Sequence, residues 1–271
     1  MDDTLSRLLD NVRPRQVVVE SDWTSGTVRC EAGAGLTVVT MVRGGSAVLA
    51  VDGTTPVELA AGDVALVIGA HGYSLSAEDA LLVTGSYDIS GGVCDRVLGG
   101  LPPVLKVDSG DEVAGAVGLL ERELGGSRPG RRALLDRLLD LVLLTSLREW
   151  LDRPDSGAPQ WYGAQNDPAI GAALDLIHTD PAHRWTVAEL ADRTTMSRAA
   201  FARRFNALVG EPPMSYLTCW RLCLASDLLR DTDDTLAAVA RQVGYANAYA
   251  LSAAFTRFYG VRPGEYRDQV A

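Results

Sequence analysis

Residues 186–217 and 235–267 are two copies of one unit, and no other feature of this 271-residue chain restricts its fold so tightly. Thr186, Leu190 and Ala191 recur as Thr235, Val239 and Ala240 at an offset of 49. Phe201, Phe205, Gly210, Pro213 and Tyr216 recur as Leu251, Phe255, Gly260, Pro263 and Tyr266 at an offset of 50. The offset changes at a turn, where one inserted residue is tolerated. Each copy reads as a helix-turn-helix. Thr186 and Glu189 have capping-box spacing and start a helix. Small Ala191 and Ala240 stand where two helices of a unit must approach closely. Turns follow at 194–196 and 243–245, then second helices anchored by Phe201/Phe205 and Leu251/Phe255 at i, i+4. Gly244 suits the second turn, which needs a permissive residue. Thr195 holds that place in the first, where a positive φ would cost about 1 kcal/mol or more and predicts a distorted turn.

The 3.6-residue period also sorts the outward side chains. Ala199, Ala202, Arg203 and Asn206 lie opposite Phe201/Phe205, with Arg198 at the helix start; Tyr249, Ser252, Ala253 and Thr256 lie opposite Leu251/Phe255. The second helix of such a unit enters the major groove of duplex DNA, so these positions are the predicted base readers. A solvated helix face would explain one such helix, but it explains two copies poorly.

The stretches WTVAELA, SRAAFARRF, VGEPPMSYL, DLLRDTDDTLAAVARQVGY and AFTRFYGVRPGEYR resemble the AraC/XylS family of regulators over about residues 168–267. The resemblance implies two helix-turn-helix units joined by a rigid helix, Met214–Arg230, entering adjacent major-groove segments on one DNA face. It also implies base contacts at Ala199, Ala202 and Arg203 in the first unit, and at Asn247, Ala248, Tyr249, Ser252 and Ala253 in the second. Several of these are alanine, which leaves the second unit few hydrogen-bonding readers.

The first half has a different texture. From about Val17 to Tyr87 short runs rich in Val and Thr alternate with Gly and Asp-Gly punctuation, which predicts short strands in a sandwich or barrel. Asp52-Gly53 is a hairpin turn signal. After Pro102-Pro103 come helical patterns at 111–124 and 131–151, separated by the breaker cluster GGSRPG. The second carries a Leu/Val stripe from Leu134 to Leu147 that is wide for a lone surface helix, and core packing or a subunit interface would both account for it. This order resembles the subgroup with an N-terminal cupin-type barrel. The expected fold is therefore α+β: a cupin-like β-barrel with paired helices at 1–152 for effector binding and dimerisation, a linker at 153–165, and an all-α domain with two helix-turn-helix units at 166–271.

The net charge of −10 argues against nucleic acid until it is divided. From Pro181 onward there are 11 Arg against 9 acidic residues, while the preceding part carries 14 basic against 26 acidic. Only the field within about a Debye length acts on a phosphate, so the C-terminal balance is the relevant one. The start MDDTLSRLLDNVRPRQ lacks a secretory pattern, and no run reaches the roughly 18 apolar residues of a membrane span. The expectation is a cytoplasmic homodimer that binds double-stranded DNA, with a small-molecule effector and RNA polymerase as further partners and no membrane contact.

Two other readings compete with this one. A cupin metalloenzyme needs several His and a carboxylate at one metal, and the chain has only His71, His178 and His183; no metal, cofactor or catalytic residue is expected. A cysteine redox sensor would use Cys30 and Cys94 in or beside the barrel, although Asp95 opposes a reactive thiolate at Cys94. For the effector site, alternation along 37–43 puts Val39 and Met41 on one face. His71 and Tyr73 share a face if their strand extends that far, and could orient a ligand in an apolar, metal-free pocket. A barrel filled by its own side chains is the competing expectation.

Overall fold

The computed structural model describes residues 13–30, 35–69, 71–88, 98–126, 129–154, 156 and 158–270. Two compact units divide the described residues, one built on 13–88 with 100–156 and the other on 158–270.

The first unit holds strands β1 (Arg13–Cys30), β2 (Leu36–Val51), β3 (Val57–Leu59), β4 (Val64–Ile68), β5 (Tyr73–Asp88) and β6 (Val104–Val107), then helices α1 (Asp111–Leu124) and α2 (Arg131–Leu151). They form one antiparallel sheet in the order β1-β5-β2-β4-β6, with β3 on β2, curled into a nearly closed barrel. The strands are fewer and longer than the punctuation predicts. Irregular register at Met41/Arg43 and at Glu20/Trp23 lets β2 and β1 bend without ending. Gly44 continues β2 with φ +119, and a Cβ there would meet the Asp79 carbonyl oxygen across the sheet. That glycine sustains a strand instead of terminating it. The Asp52-Gly53 turn forms as expected, with Gly53 at φ +82 and the Thr54 amide donating to the Val51 carbonyl at 3.0 Å.

Both faces are buried along β4 and the first part of β2, while farther along β2 one face opens to solvent at Ser46 and Val48. Val39, Met41, Leu49, Leu75 and Leu82 form one apolar cluster, while Val38 and Thr40, of opposite phase, are equally inaccessible. Helix α2 closes on the sheet at Gly85, where a Cβ would lie 3.0 Å from Leu139 Cδ1. Most of the predicted stripe on α2 is core: Leu135, Leu138, Leu139, Val142, Leu143 and Leu147 are buried. Leu134 and Leu141, with Leu119 of α1, stay exposed. Leu119, Leu134 and Leu138 border an open groove of about 420 Å³ between the two helices.

The second unit is helical: α3 (Gln160–Ala164), α4 (Pro168–Thr179), α5 (Val187–Arg193), α6 (Arg198–Val209), α7 (Pro213–Asp231), α8 (Leu236–Gln242), α9 (Ala248–Tyr259) and α10 (Pro263–Val270). Helix α3 forms inside the stretch read as linker and packs on α6. Phe201, Phe205, Tyr216 and Trp220 are fully buried, as are Leu251 and Phe255 in the second copy. Asp167 caps α4, accepting from the Ala169 and Ile170 amides, and pairs with Arg204 of α6. The arginine's hydrogen bond holds the Asp167 carboxyl below its ordinary value, so the pair is intact at neutral pH.

Candidate nucleic-acid interface

The two repeats fold into the same device. Thr186 and Thr235 cap α5 and α8, Ser197 and Asn247 cap α6 and α9, and Gly210 and Gly260 end α6 and α9 at φ +87 and +77. The Glu189 amide reaches Thr186 Oγ1 at 3.1 Å, but the Glu189 carboxylate meets His183 Nε2 at 2.9 Å, tying the preceding loop to α5.

The two turns are alike, contrary to the distortion predicted for the first. Thr195 takes φ +56 against +82 at Gly244. The Met196 amide donates to Ala191 at 2.9 Å and the Tyr245 amide to Ala240 at 2.8 Å, the same bond in both copies. The geometry is kept and the strain stays at Thr195. Replacing Thr195 with Gly should therefore raise stability by about 1 kcal/mol, seen as a higher unfolding midpoint; a lower midpoint would show that the threonine side chain contributes more than its backbone costs.

The predicted readers sit on the exposed sides of α6 and α9. Arg198, Ala199, Arg203 and Asn206 are exposed and Ala202 is half-buried. On α9, Tyr249 is 83% exposed, Ala253 is exposed, and Ala248, Ser252 and Thr256 are half-buried. Asn247 has a second role that the sequence reading missed. Its Oδ1 accepts from the Ala250 amide at 2.8 Å, which leaves the side-chain NH2 as its outward donor.

The arginines of this unit divide by partner. Arg204 pairs with Asp167, Arg230 with Asp227 and Asp231, and Arg267 donates to the Leu229 and Asp234 carbonyls. Arg221 Nε and Nη2 donate to the Pro181 and His183 carbonyls at 2.6 and 2.7 Å. Arg184, Arg193, Arg198, Arg203, Arg241, Arg257 and Arg262 are exposed and make no ion pair among the described residues. These are the cations available to a phosphate backbone. Sequence reasoning saw the balance of charge but not this division.

Of the barrel positions, Val39 and Met41 face the interior cluster with Tyr73, which is also buried. Strand β5 begins at Tyr73, so half-buried His71 lies in the turn before it and the shared strand face does not form. Cys30 is a free thiol packed against the same apolar cluster, and the redox reading gains nothing from this placement. Cys94 lies outside the described residues. Among the described residues no three His, Cys, Asp or Glu side chains converge as a metal site, and no helix is long and apolar enough to cross a membrane.

A barrel-bearing unit and a helical unit with two capped helix-turn-helix copies define a DNA-binding transcription regulator. Comparison with known proteins agrees. A cupin family model matches residues 3–152, and a helix-turn-helix domain model matches residues 190–269. A putative AraC-like transcription regulator of Streptomyces antibioticus is 34% identical over 257 residues, covering 83% of this chain and 85% of the relative. A second, of Streptomyces lividans, is 33% identical over 257 residues, covering 83% and 84%. The crystal structure of the DNA-binding domain of AdpA in complex with a target DNA is 32% identical, at a TM-score of 0.37, over 38% of this chain and 93% of that one. The chain belongs to the AraC-like family of transcription regulators.

Proposed function

We propose that this regulator reads two successive major-groove segments on one face of duplex DNA, the first with α6 and the second with α9. The readers are Arg198, Ala199, Ala202, Arg203 and Asn206 on α6, and Asn247, Ala248, Tyr249, Ser252, Ala253 and Thr256 on and before α9. The observation that carries this is the repeat itself: two related helices buried on one side at Phe201/Phe205 and Leu251/Phe255 and open on the other. Arg203 is the strongest reader because a guanidinium can donate twice to guanine O6 and N7. Arg203→Ala should weaken binding by roughly 1–3 kcal/mol and relax preference at one base pair. Arg241→Ala should weaken specific and random DNA alike. An Arg203 variant that kept the wild-type ratio of specific to random binding would place the recognition surface elsewhere.

The regulatory half of the proposal concerns the barrel and α2. Inward positions Ala47, Ala65, Ala77 and Ala80 are small, which favours room for a small apolar effector beside Val39, Met41 and Tyr73 without a metal. A thermal-shift screen of lipophilic and aromatic compounds, with metal analysis of the purified protein, tests this; stoichiometric bound metal would refute it. Exposed Leu134 and Leu141 favour a homodimer through α1 and α2. Because Leu134 is 47% exposed, Leu134→Glu should leave the fold intact and shift the full chain from dimer to monomer in sedimentation. A wild-type chain already monomeric at tens of micromolar would remove the dimer.

A further inference from the structure

Two recognition helices read two segments together only if something fixes the distance and angle between them. Helix α7 joins them and lends side chains to both cores, Tyr216 to the first, against Phe205, and Leu222, Ala225 and Leu229 to the second; a direct contact between the units would fix their relation further. The structure contains a second connection. Loop 180–185, which leads into α5, is fastened to the first unit by His183 on Glu189 at 2.9 Å, and Trp185 Nε1 closes the loop on itself by donating to the Asp180 carbonyl at 2.9 Å. The other side of this loop lies against the turn of the second unit. A Cβ at Gly244 would stand 2.7 Å from both the Cα and the carbonyl oxygen of Ala182, and 2.8 Å from Arg221 Nη2.

Arg221 sits at this junction. Reaching from α7, it donates Nε to Pro181 and Nη2 to His183, so one rigid fork holds two carbonyls of the loop. Those carbonyls flank Ala182, the residue that touches the second turn. Burial draws the guanidinium below its ordinary pKa, with Tyr245 and Asp180 nearby in opposition. A half-buried charged donor loses part of its hydration, which these carbonyls replace, and charge-assisted bonds of this kind hold the fork firmly.

We propose that Arg221 is a positioning residue that sets the spacing at which the two units read DNA, by clamping loop 181–183 against the Gly244 turn. It touches no base in this scheme. Without the clamp each unit still folds and still binds its own segment, and the units lose their fixed relation. This rests on the two-segment reading above.

The test uses the full chain on duplexes carrying the selected site, the same site with one base pair added or removed between its two blocks, and one block alone. Each added base pair rotates the second block by about 34° around the DNA axis, which a rigid pair cannot follow. The wild type should prefer the native spacing strongly. Arg221→Met should compress the ratio of native to shifted affinity by roughly 2- to 30-fold while single-block affinity stays at the wild-type value, since single residues in a coupling path have effects of this size. Arg221→Lys, which can reach one carbonyl at a time, should fall between. If Arg221→Met does not fold by circular dichroism, the Lys variant decides on the same ratio. A folded variant that keeps the wild-type ratio overturns the assignment of Arg221. A wild type indifferent to spacing overturns the two-segment reading instead, and the assignment with it.

Discussion

Gly244→Ala should destabilise the helical unit by about 2–5 kcal/mol. A left-handed non-glycine residue costs about 1–2 kcal/mol, and forcing a methyl into a filled space costs about 1–3 more. Both apply here: Gly244 has φ +82, and its Cβ would collide with the backbone of Ala182, which cannot rotate away as a flexible side chain would. Gly260 supplies the control. Its φ is +77 but nothing lies within 4 Å of its Cβ, so Gly260→Ala should show the conformational cost alone. Calorimetry of the two variants separates the contributions. Equal losses would mean that the loop at Ala182 moves aside freely, which would also weaken the case for a clamped junction. Total domain stability is commonly about 5–15 kcal/mol, so the larger loss should reduce the DNA-binding population at growth temperature.

The second large effect is on DNA affinity. With Arg198 and Arg203 assigned to bases, the exposed Arg184, Arg193, Arg241, Arg257 and Arg262 are the cations left for phosphates. If about five phosphates are neutralised, raising salt from roughly 50 to 200 mM should lower affinity by about two to three orders of magnitude, because each contact releases condensed counterions. The slope of log affinity on log salt should shrink by about one for Arg241→Ala. Arg230→Ala should leave that slope unchanged, since Arg230 is engaged with Asp227 and Asp231. A shallow slope in the wild type would mean that the acidic N-terminal unit, or the pairing of these arginines on DNA, cancels the local field. The whole chain carries −10, so the experiment decides whether the local or the total charge governs binding.

Much of the helical unit was legible because its signals are local. Caps, C-terminal glycines and i, i+4 aromatic pairs act within a few residues, and the repeat supplies each signal twice. The paired helices at 111–124 and 131–151 were legible for the same reason, since breakers flank each one. The barrel strands were less so. Gly44-Gly45 reads locally as a terminator, but β2 runs through it because β5 pairs along its whole length, a non-local fact. His71 was placed by strand periodicity, which has no force in the turn where the residue lies. Thr195 was read correctly as strained. The strain does not deform the turn, because the buried Ala191 and Phe201 on either side hold it in place. Arg204 and Arg221 were invisible for a common reason. Their partners, Asp167 and the loop 181–183, lie 37 to 40 residues away in sequence, and no pattern along the chain names them.

The central claim, that two helix-turn-helix units of one chain read two segments of one duplex, is tested most directly by selection of bound sequences from a random duplex pool with the full-length protein. The predicted result is a motif of two blocks with centres about 10 base pairs apart, the span of one helical turn. The block read by α6 should carry more sequence information than the one read by α9, because Arg203 can donate twice to one guanine and none of the α9 readers is an arginine. A single block, or no enriched motif at all, would contradict the account.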